Sequence, residues 1–241
     1  MTSPQALSEA DRRLVALWAA DCAERVLPLF EAEAPDDDRA RNGIDRARAF
    51  GRGELDTAEQ IRRRFVAGRA AQSTKNPAAV AAARAAGQAS GVAHMGARAL
   101  GAAAYAAKAA ALAAADHDAT GQDAARRHEA RWQLDHLTTG VRIALSRLPL
   151  LGEDSSGPLG AGLLASGVLA TTIREIQAEL SLEADGVGGR EAADEWERER
   201  GDADDENGTD DENSDDDKDG DESGTPQRSR PQMRAVRDFV T

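Results

Sequence analysis

The chain has 241 residues, a formal net charge of −13 at pH 7 and a single cysteine, Cys22. One cysteine excludes an intramolecular disulfide and a zinc site built from several cysteines, and it is typical of a reducing compartment such as the cytoplasm. Thirteen Asp or Glu and one Lys lie between residues 202 and 225, so residues 1–201 are only mildly acidic and no basic face for nucleic acid is expected.

The first part of the chain predicts two amphipathic helices. Apolar residues recur every four positions from Leu14 to Val26, which indicates one buried face of an α-helix. Pro28 falls where this helix is expected to kink or end. The aspartates at 36–38 can cap a second helix, and Gly51 is expected to end it.

Alanine dominates the middle of the chain, with 22 alanines among residues 77–115. Asn76 followed by Pro77 is a helix start signal. One helix over this stretch would be roughly 58 Å long, too long for a small domain. We therefore expect two helices with a break near residues 94–96, and a further helix capped by Thr120.

Residues 155–173 form a run of nineteen without a charged side chain. This length approaches that of a membrane span, but small and hydroxyl residues outnumber large apolar ones there. We favour a buried core helix that continues to about Leu180, with a membrane span at 155–173 as the minor alternative. No membrane partner is therefore expected.

The predicted fold class is all-α, because no stretch alternates between apolar and polar residues as a strand would. We expect a compact, Ala-rich helical bundle with a disordered acidic C-terminal tail, since like charges without apolar residues cannot bury enough surface to fold. The predicted divisions are a helical domain at 1–154, an additional helical segment at 155–200 that packs on or extends it, and the acidic tail with its short basic end at 201–241.

Several segments occur in an order that resembles a known family. They are LWAADCAERVLPLFE at 17–31, DRARNGIDRARAF at 38–50, AAGQA at 85–89, HM at 94–95, ALGAAAYAAKA at 99–109 and RWQ at 131–133. Over residues 12–148 the chain is similar to the Imm-5-like family of immunity proteins, although Ala40 stands where the family usually has proline. The resemblance implies an all-helical protein that neutralises a cognate protein toxin of a polymorphic toxin system.

No catalytic, cofactor-binding or metal-binding residue is predicted. The four histidines are not spaced to hold a metal ion on one helix face, and the glycine patterns that bind phosphate after a strand are absent. His94, beside the predicted helix break, is expected to be a buried, hydrogen-bonded structural residue. Cys22 lies on the apolar stripe of the first helix and is expected to be buried as a small hydrophobic residue.

Five residues are candidates for structural or partner-contact roles: Asp21, Arg41, Asp45, His94 and Trp132. Arg41 and Asp45 are four positions apart and can form an ion pair on one helix face, which Asp21 can join. The leading hypothesis is a binding protein that occludes its toxin with an acidic helical surface. A helical protein with an unknown enzymatic or membrane-associated role is the alternative. No cofactor is expected.

Overall fold

A computed structural model describes residues 3–58, 66–114 and 118–185. Within these residues the chain is all-α, as predicted, and contains no strand. The helices are α1 (Glu9–Glu31), α2 (Arg39–Gly51), α3 (Val66–Arg69), α4 (Pro77–Ser90), α5 (Arg98–Ala113), α6 (Ala119–Asp135), α7 (Thr139–Ser146) and α8 (Gly167–Asp185). The predicted disorder of the tail at 201–241 falls outside the described residues.

The Ala-rich helices α4 and α5 lie at the centre of the fold. They pack against each other and against α1, while α2 contacts α1 and α4, and α6 and α8 contact α5. Every residue from 99 to 107 in α5 is buried. Alanine side chains are short, so α5 can be surrounded by helices at close distance. The two largest fully buried side chains, Phe30 and Phe50, come from α1 and α2.

The two central helices are separated where the sequence predicts a break. The side chain of Asn76 caps α4, with its Oδ1 accepting a hydrogen bond of 2.9 Å from Ala78 N. A turn at residues 91–97 then separates α4 from α5. Gly96 N donates to Ala6 O at 3.1 Å, so the N-terminal segment holds this turn in place.

Three boundaries differ from the sequence prediction. Helix α1 continues to Glu31, three residues beyond Pro28. Helix α6 is capped by Asp118, whose Oδ1 accepts from Gly121 N at 2.9 Å, and not by Thr120. The helix predicted over 155–173 begins only at Gly167. Residues 155–166 instead form turns and one 3-10 turn, because this stretch contains several glycines, which disfavour helix.

The segment after residue 154 contributes to the same core as α1, α4 and α5. The buried side of α8 carries Leu169, Ile173 and Ile176, and Leu159 and Leu164 from the preceding turns join the same cluster. In the part of the chain that the structure describes, none of the helices combines the length and the apolar character that crossing a membrane requires.

Candidate functional site

Three exposed residues of α1, Asp21, Arg25 and Pro28, lie between the contacts of α1 with α6 on one side and with α2 on the other. We call this surface the α1 face. Its charged and aromatic side chains come from three helices and the residue that follows α6: Asp21, Glu24, Arg25 and Glu31 of α1, Arg41, Asp45 and Arg48 of α2, Glu129 and Trp132 of α6, and His136 at the C-cap of α6. It therefore contains four of the five residues singled out from the sequence.

On the α6 side, Arg25 is held by a buried carboxylate. Arg25 Nε lies 3.0 Å from each carboxylate oxygen of Glu129, whose side chain is only 5% exposed. Gln133 Nε2 donates to Glu129 Oε1 at 3.3 Å and to Ala103 O at 3.1 Å. A buried charge requires partners of this kind, so this network fixes both Glu129 and Arg25.

Trp132 is partly exposed and is in contact with the side chains of Arg25 and His136. The guanidinium carbon of Arg25 lies 3.9 Å from the centroid of the Trp132 ring, which is a cation–π contact. The ring of His136 stacks on Trp132 with centroids 3.8 Å apart. Arg25, Trp132 and His136 thus form one group of fixed geometry at the protein surface.

On the α2 side, arginines of α2 pair with carboxylates of α1. Arg41 donates to both oxygens of Glu31, at 2.7 and 2.8 Å. Arg48 donates to Asp21 at 2.7 Å and also to Glu24. The hydrogen bond from Arg48 is the main reason that the pKa of Glu24 is lowered from its usual value. Because residues further along α2 contact residues earlier in α1, the two helices run antiparallel.

The ion pair predicted between Arg41 and Asp45 is not formed. The fork of Arg41 reaches Glu31 with two hydrogen bonds, and such bidentate geometry is stronger than a single contact along the helix. Asp21 does join an ion pair, but its partner is Arg48. The sequence analysis missed one signal for this arrangement. Glu24 and Glu31 are seven positions apart on α1, and Arg41 and Arg48 are seven positions apart on α2, so the two pairs can face each other when the helices pack.

The other two polar residues considered in the sequence analysis have different surroundings. Cys22 is buried, as predicted, and burial raises the pKa of its thiol well above the usual value. His94 is exposed rather than buried, because it lies in the surface turn between α4 and α5. Its side chain lines a cavity away from the α1 face.

That cavity and a neighbouring one form a second candidate site, which we call the cleft. Their volumes are about 370 and 530 Å³, and both are lined by Gln88, Arg98, Tyr105 and Leu163. The first cavity adds His94, Met95, Gly157, Pro158, Gly162 and Leu164. The second adds Gly68, Arg69, Gln72, Arg84 and Gly87. The cleft thus lies between α4, α5, the segment 68–72 and the turns at 157–164.

Two glycines make room for the polar side chains of the cleft. A Cβ atom on Gly91 would lie 2.5 Å from the Arg98 side chain, and one on Gly101 would lie 2.8 Å from Gln88 Oε1. Both distances are shorter than atoms tolerate. The glycines therefore allow Arg98 and Gln88 to lie across the helix surfaces, where Arg98 Nη1 donates to Gln88 Oε1 at 3.3 Å.

The charge of the cleft differs from that of the α1 face. Among the described residues that line its two cavities, three are arginines and none is Asp or Glu. Arg84 Nη1 donates to the neutral Tyr105 hydroxyl at 3.5 Å. On the α1 face, Arg25, Arg41 and Arg48 each pair with a carboxylate.

These features define an alanine-rich, all-α protein with charged side chains held in fixed positions at its surface. Among the residues that the structure describes, no three His, Cys, Asp or Glu side chains come together as metal ligands. The family model "Imm-5 like putative immunity protein" matches residues 5–139, more than half of the chain. The chain belongs to this family, which confirms the resemblance seen over residues 12–148. Comparison with curated proteins and with solved structures gives no match.

The family match covers the α1 face completely and the cleft only in part. All residues of the α1 face lie between positions 5 and 139, as do the α4 and α5 side chains of the cleft. The turns at 157–164, which line the opposite wall of the cleft, lie beyond the match.

Proposed function

We propose that this protein is an immunity protein that neutralises a cognate protein toxin of a polymorphic toxin system by binding it directly in the cytoplasm. Membership of the immunity-protein family supports the general role. The observation that carries the proposed mechanism is the Arg25–Trp132–His136 group, which is fixed at the surface of the α1 face.

The α1 face has the properties of an affinity-determining contact. Tryptophan and arginine are enriched among the residues that contribute most to protein–protein binding. Arg25 is already held by Glu129, so little side-chain entropy remains to be lost when a partner binds. Such preorganisation improves affinity because ordering side chains at an interface otherwise costs about 0.5–1.5 kcal/mol for each one.

The charge of the α1 face indicates the kind of toxin surface that it fits. Five carboxylates and three arginines lie on this face, so acidic groups are in excess. Asp21 and Asp45 are exposed. A basic toxin surface would be attracted to such a face, which accelerates encounter and disfavours acidic partners. Binding there would prevent the toxin from reaching its own target.

The test is to measure binding between the full-length protein and the toxin encoded beside its gene. Trp132→Ala is expected to weaken binding by about 30-fold, the loss that corresponds to a hot-spot residue worth about 2 kcal/mol. Arg127→Ala is the matched control, because Arg127 is exposed on the same helix and its ion-pair partner among the described residues is Asp123 of that helix. Thermal melts establish that both variants fold.

Two outcomes would contradict the proposal. Absence of binding between the parent protein and the toxin would refute neutralisation by direct contact. Binding of the toxin to Trp132→Ala with the parent's affinity would show that the α1 face is not the contact surface.

A further inference from the structure

We propose that a groove between the end of α7 and the last turns of α8 is the docking site for a segment of this same chain, residues 233–240. The groove has a volume of about 310 Å³. It goes beyond the proposed function, because the groove and the α1 face share no residue. All of its lining residues also lie beyond position 139, where the match to the immunity-protein family ends.

The lining of the groove is apolar and uncharged. Four leucines line it: Leu145, Leu148, Leu150 and Leu180. Its other described lining residues are one glutamine and two serines. Leu150 is 48% exposed, whereas the other three leucines are buried. An apolar side chain in the groove would remove Leu150 from water, which stabilises in proportion to the area covered.

The polar side chains of the groove already have hydrogen-bond partners within the protein. Gln177 Oε1 accepts from Leu151 N at 3.0 Å, and Gln177 Nε2 donates to Pro149 O at 3.0 Å. The hydroxyls of Ser146 and Ser181 each donate to a backbone carbonyl of their own helix at 2.9 Å. Covering these groups with an apolar occupant therefore costs less than covering unpaired polar groups. The bonds of Gln177 also hold the turn after α7 against α8, so the groove is preformed.

Residues 233–240 have the composition of an occupant for such a groove. Residues 197–232 contain no Val, Leu, Ile, Met, Phe, Tyr or Trp. Four of these large apolar residues then occur within eight positions, at Met233, Val236, Phe239 and Val240. Residues three and four positions apart share one face of a helix, and an apolar face of this kind is what helix-in-groove recognition uses. The expectation of disorder at 201–241 then applies to the acidic run and not to this segment.

The end of α8 ties this segment to the neighbourhood of the groove. Ser181 lines the groove, and α8 ends four residues later at Asp185, about 6 Å further along the helix axis. The 47 residues at 186–232 join Asp185 to the segment, and a coil of this length has an average end-to-end distance of about 40 Å. The segment can therefore return to the groove, at a local concentration on the order of millimolar. A second copy of the chain would have to compete with it.

The experiment is photo-cross-linking in the full-length protein. Benzoylphenylalanine, a photoreactive analogue of phenylalanine, replaces Phe239, and mass spectrometry identifies the residues to which it becomes bonded. We expect cross-links within one molecule to residues 145–150 and 177–181. Their yield should stay the same across a dilution series, because docking within one chain does not depend on protein concentration.

Substitutions test whether the contact is made in the groove. Leu150→Asp is expected to lower the yield of cross-links by about tenfold or more, because it places a charge where apolar side chains pack. Leu163→Asp is the matched control, since Leu163 is an exposed leucine that lines the cleft and not the groove. Its yield should equal that of the parent. Both leucines are exposed, so both variants should fold, and thermal melts check this.

A second measurement needs no cross-linker. Amide hydrogen exchange at residues 145–151 and 177–181 should be faster in Phe239→Asp than in the parent, because the docked segment covers this part of the fold. Ser229→Asp adds the same charge four residues before the segment and should exchange like the parent. This comparison leaves the groove itself unchanged, so it tests the proposal even if Leu150→Asp does not fold.

Four results would overturn the proposal. They are cross-links from position 239 that do not reach the groove, cross-links to the groove only between two molecules, an unchanged yield in folded Leu150→Asp, and equal exchange in Phe239→Asp and Ser229→Asp. None of these results bears on toxin binding, which is measured separately at the α1 face.

Discussion

Gln5 and Leu159 are joined by a hydrogen bond of 2.9 Å from the Leu159 backbone N–H to Gln5 Oε1. The amide nitrogen of Gln5 donates to Asp154 at 2.8 Å and to Ser156 O at 2.7 Å, and its backbone carbonyl accepts from Ala97 N at 3.0 Å. The buried side chain of Gln5 therefore fixes the turns at one wall of the cleft. The backbone of Gln5 holds the turn between α4 and α5.

The first prediction is that Gln5→Ala lowers the thermal stability of the protein. Gln5 is only 1% exposed, so its removal leaves the buried Leu159 N–H without its partner, at a cost of about 1–3 kcal/mol. For a protein of this size the melting temperature should fall by roughly 2–4 °C for each kcal/mol. The measurement is a circular-dichroism melt. Gln72→Ala, at an exposed position, is the control, and equal melting temperatures for the two variants would contradict the prediction.

The second prediction concerns the contact between Gly87 and Gly68. A Cβ atom on Gly87 would lie 2.8 Å from the Gly68 Cα atom and 3.0 Å from its nitrogen. These are backbone atoms, which cannot rotate away as a side chain can. Gly87→Ala should therefore displace the segment around Gly68, and overpacking of this kind costs about 1–3 kcal/mol. Urea denaturation measures the change.

The control for this contact is Gly68→Ala. A Cβ atom on Gly68 meets no atom of the described residues within 4 Å, so this variant should be as stable as the parent. Equal stability of Gly87→Ala and Gly68→Ala would show that α4 and the segment around Gly68 are further apart than the structure places them.

The third prediction is a pH dependence that originates at Glu24. The hydrogen bond from Arg48 lowers the pKa of Glu24 in the folded protein below the usual 4.5. The folded state therefore binds a proton less readily than the unfolded state, and the ion pair contributes stability above pH 4.5 that is lost as the pH falls through the lowered pKa. Glu24→Gln removes this contribution. The stability difference between parent and variant should be largest near neutral pH and should disappear in acid.

Urea denaturation at several pH values measures this difference. Glu153→Gln is the control, because Glu153 is an exposed carboxylate in a turn. Its stability difference from the parent should be small at every pH. A Glu24→Gln difference that is independent of pH would mean that the Arg48 hydrogen bond does not stabilise the charged form of Glu24.

Local signals in the sequence predict much of the fold. Asn76 with Pro77 marks the start of α4, and glycines mark the turn after it, because capping and backbone freedom depend on a few neighbouring residues. The stretch 155–166 was predicted wrongly, since a run of uncharged residues is compatible with a buried helix and with packed turns. The glycines of this stretch disfavour a helix, and the hydrogen bonds of Gln5 with Asp154 and Leu159 hold the turns in place.

The candidate sites depend still more on tertiary structure. Arg41 has an acidic residue four positions away on its own helix, yet its partner is Glu31 on α1. The packing of α2 on α1 determines which carboxylate pairs with Arg41, and the spacing of residues along α2 does not predict that packing. The cleft brings together Arg69, Arg84 and Arg98 from three segments. Each appears in the sequence as an ordinary surface arginine.

The last prediction separates binding from catalysis. If the protein neutralises its toxin by contact, protection of cells in a growth assay should survive Asp45→Asn, His94→Gln and Cys22→Ala, each made singly. Loss of a catalytic acid–base residue lowers a rate by about a hundredfold or more, whereas affinity in a binding surface is concentrated in a few contacts such as Trp132. Asp45 and His94 are exposed, so their variants should fold. His94 and Cys22 lie outside the α1 face, so complete loss of protection in His94→Gln or Cys22→Ala, in a variant that melts like the parent, would contradict neutralisation by contact and favour an enzyme.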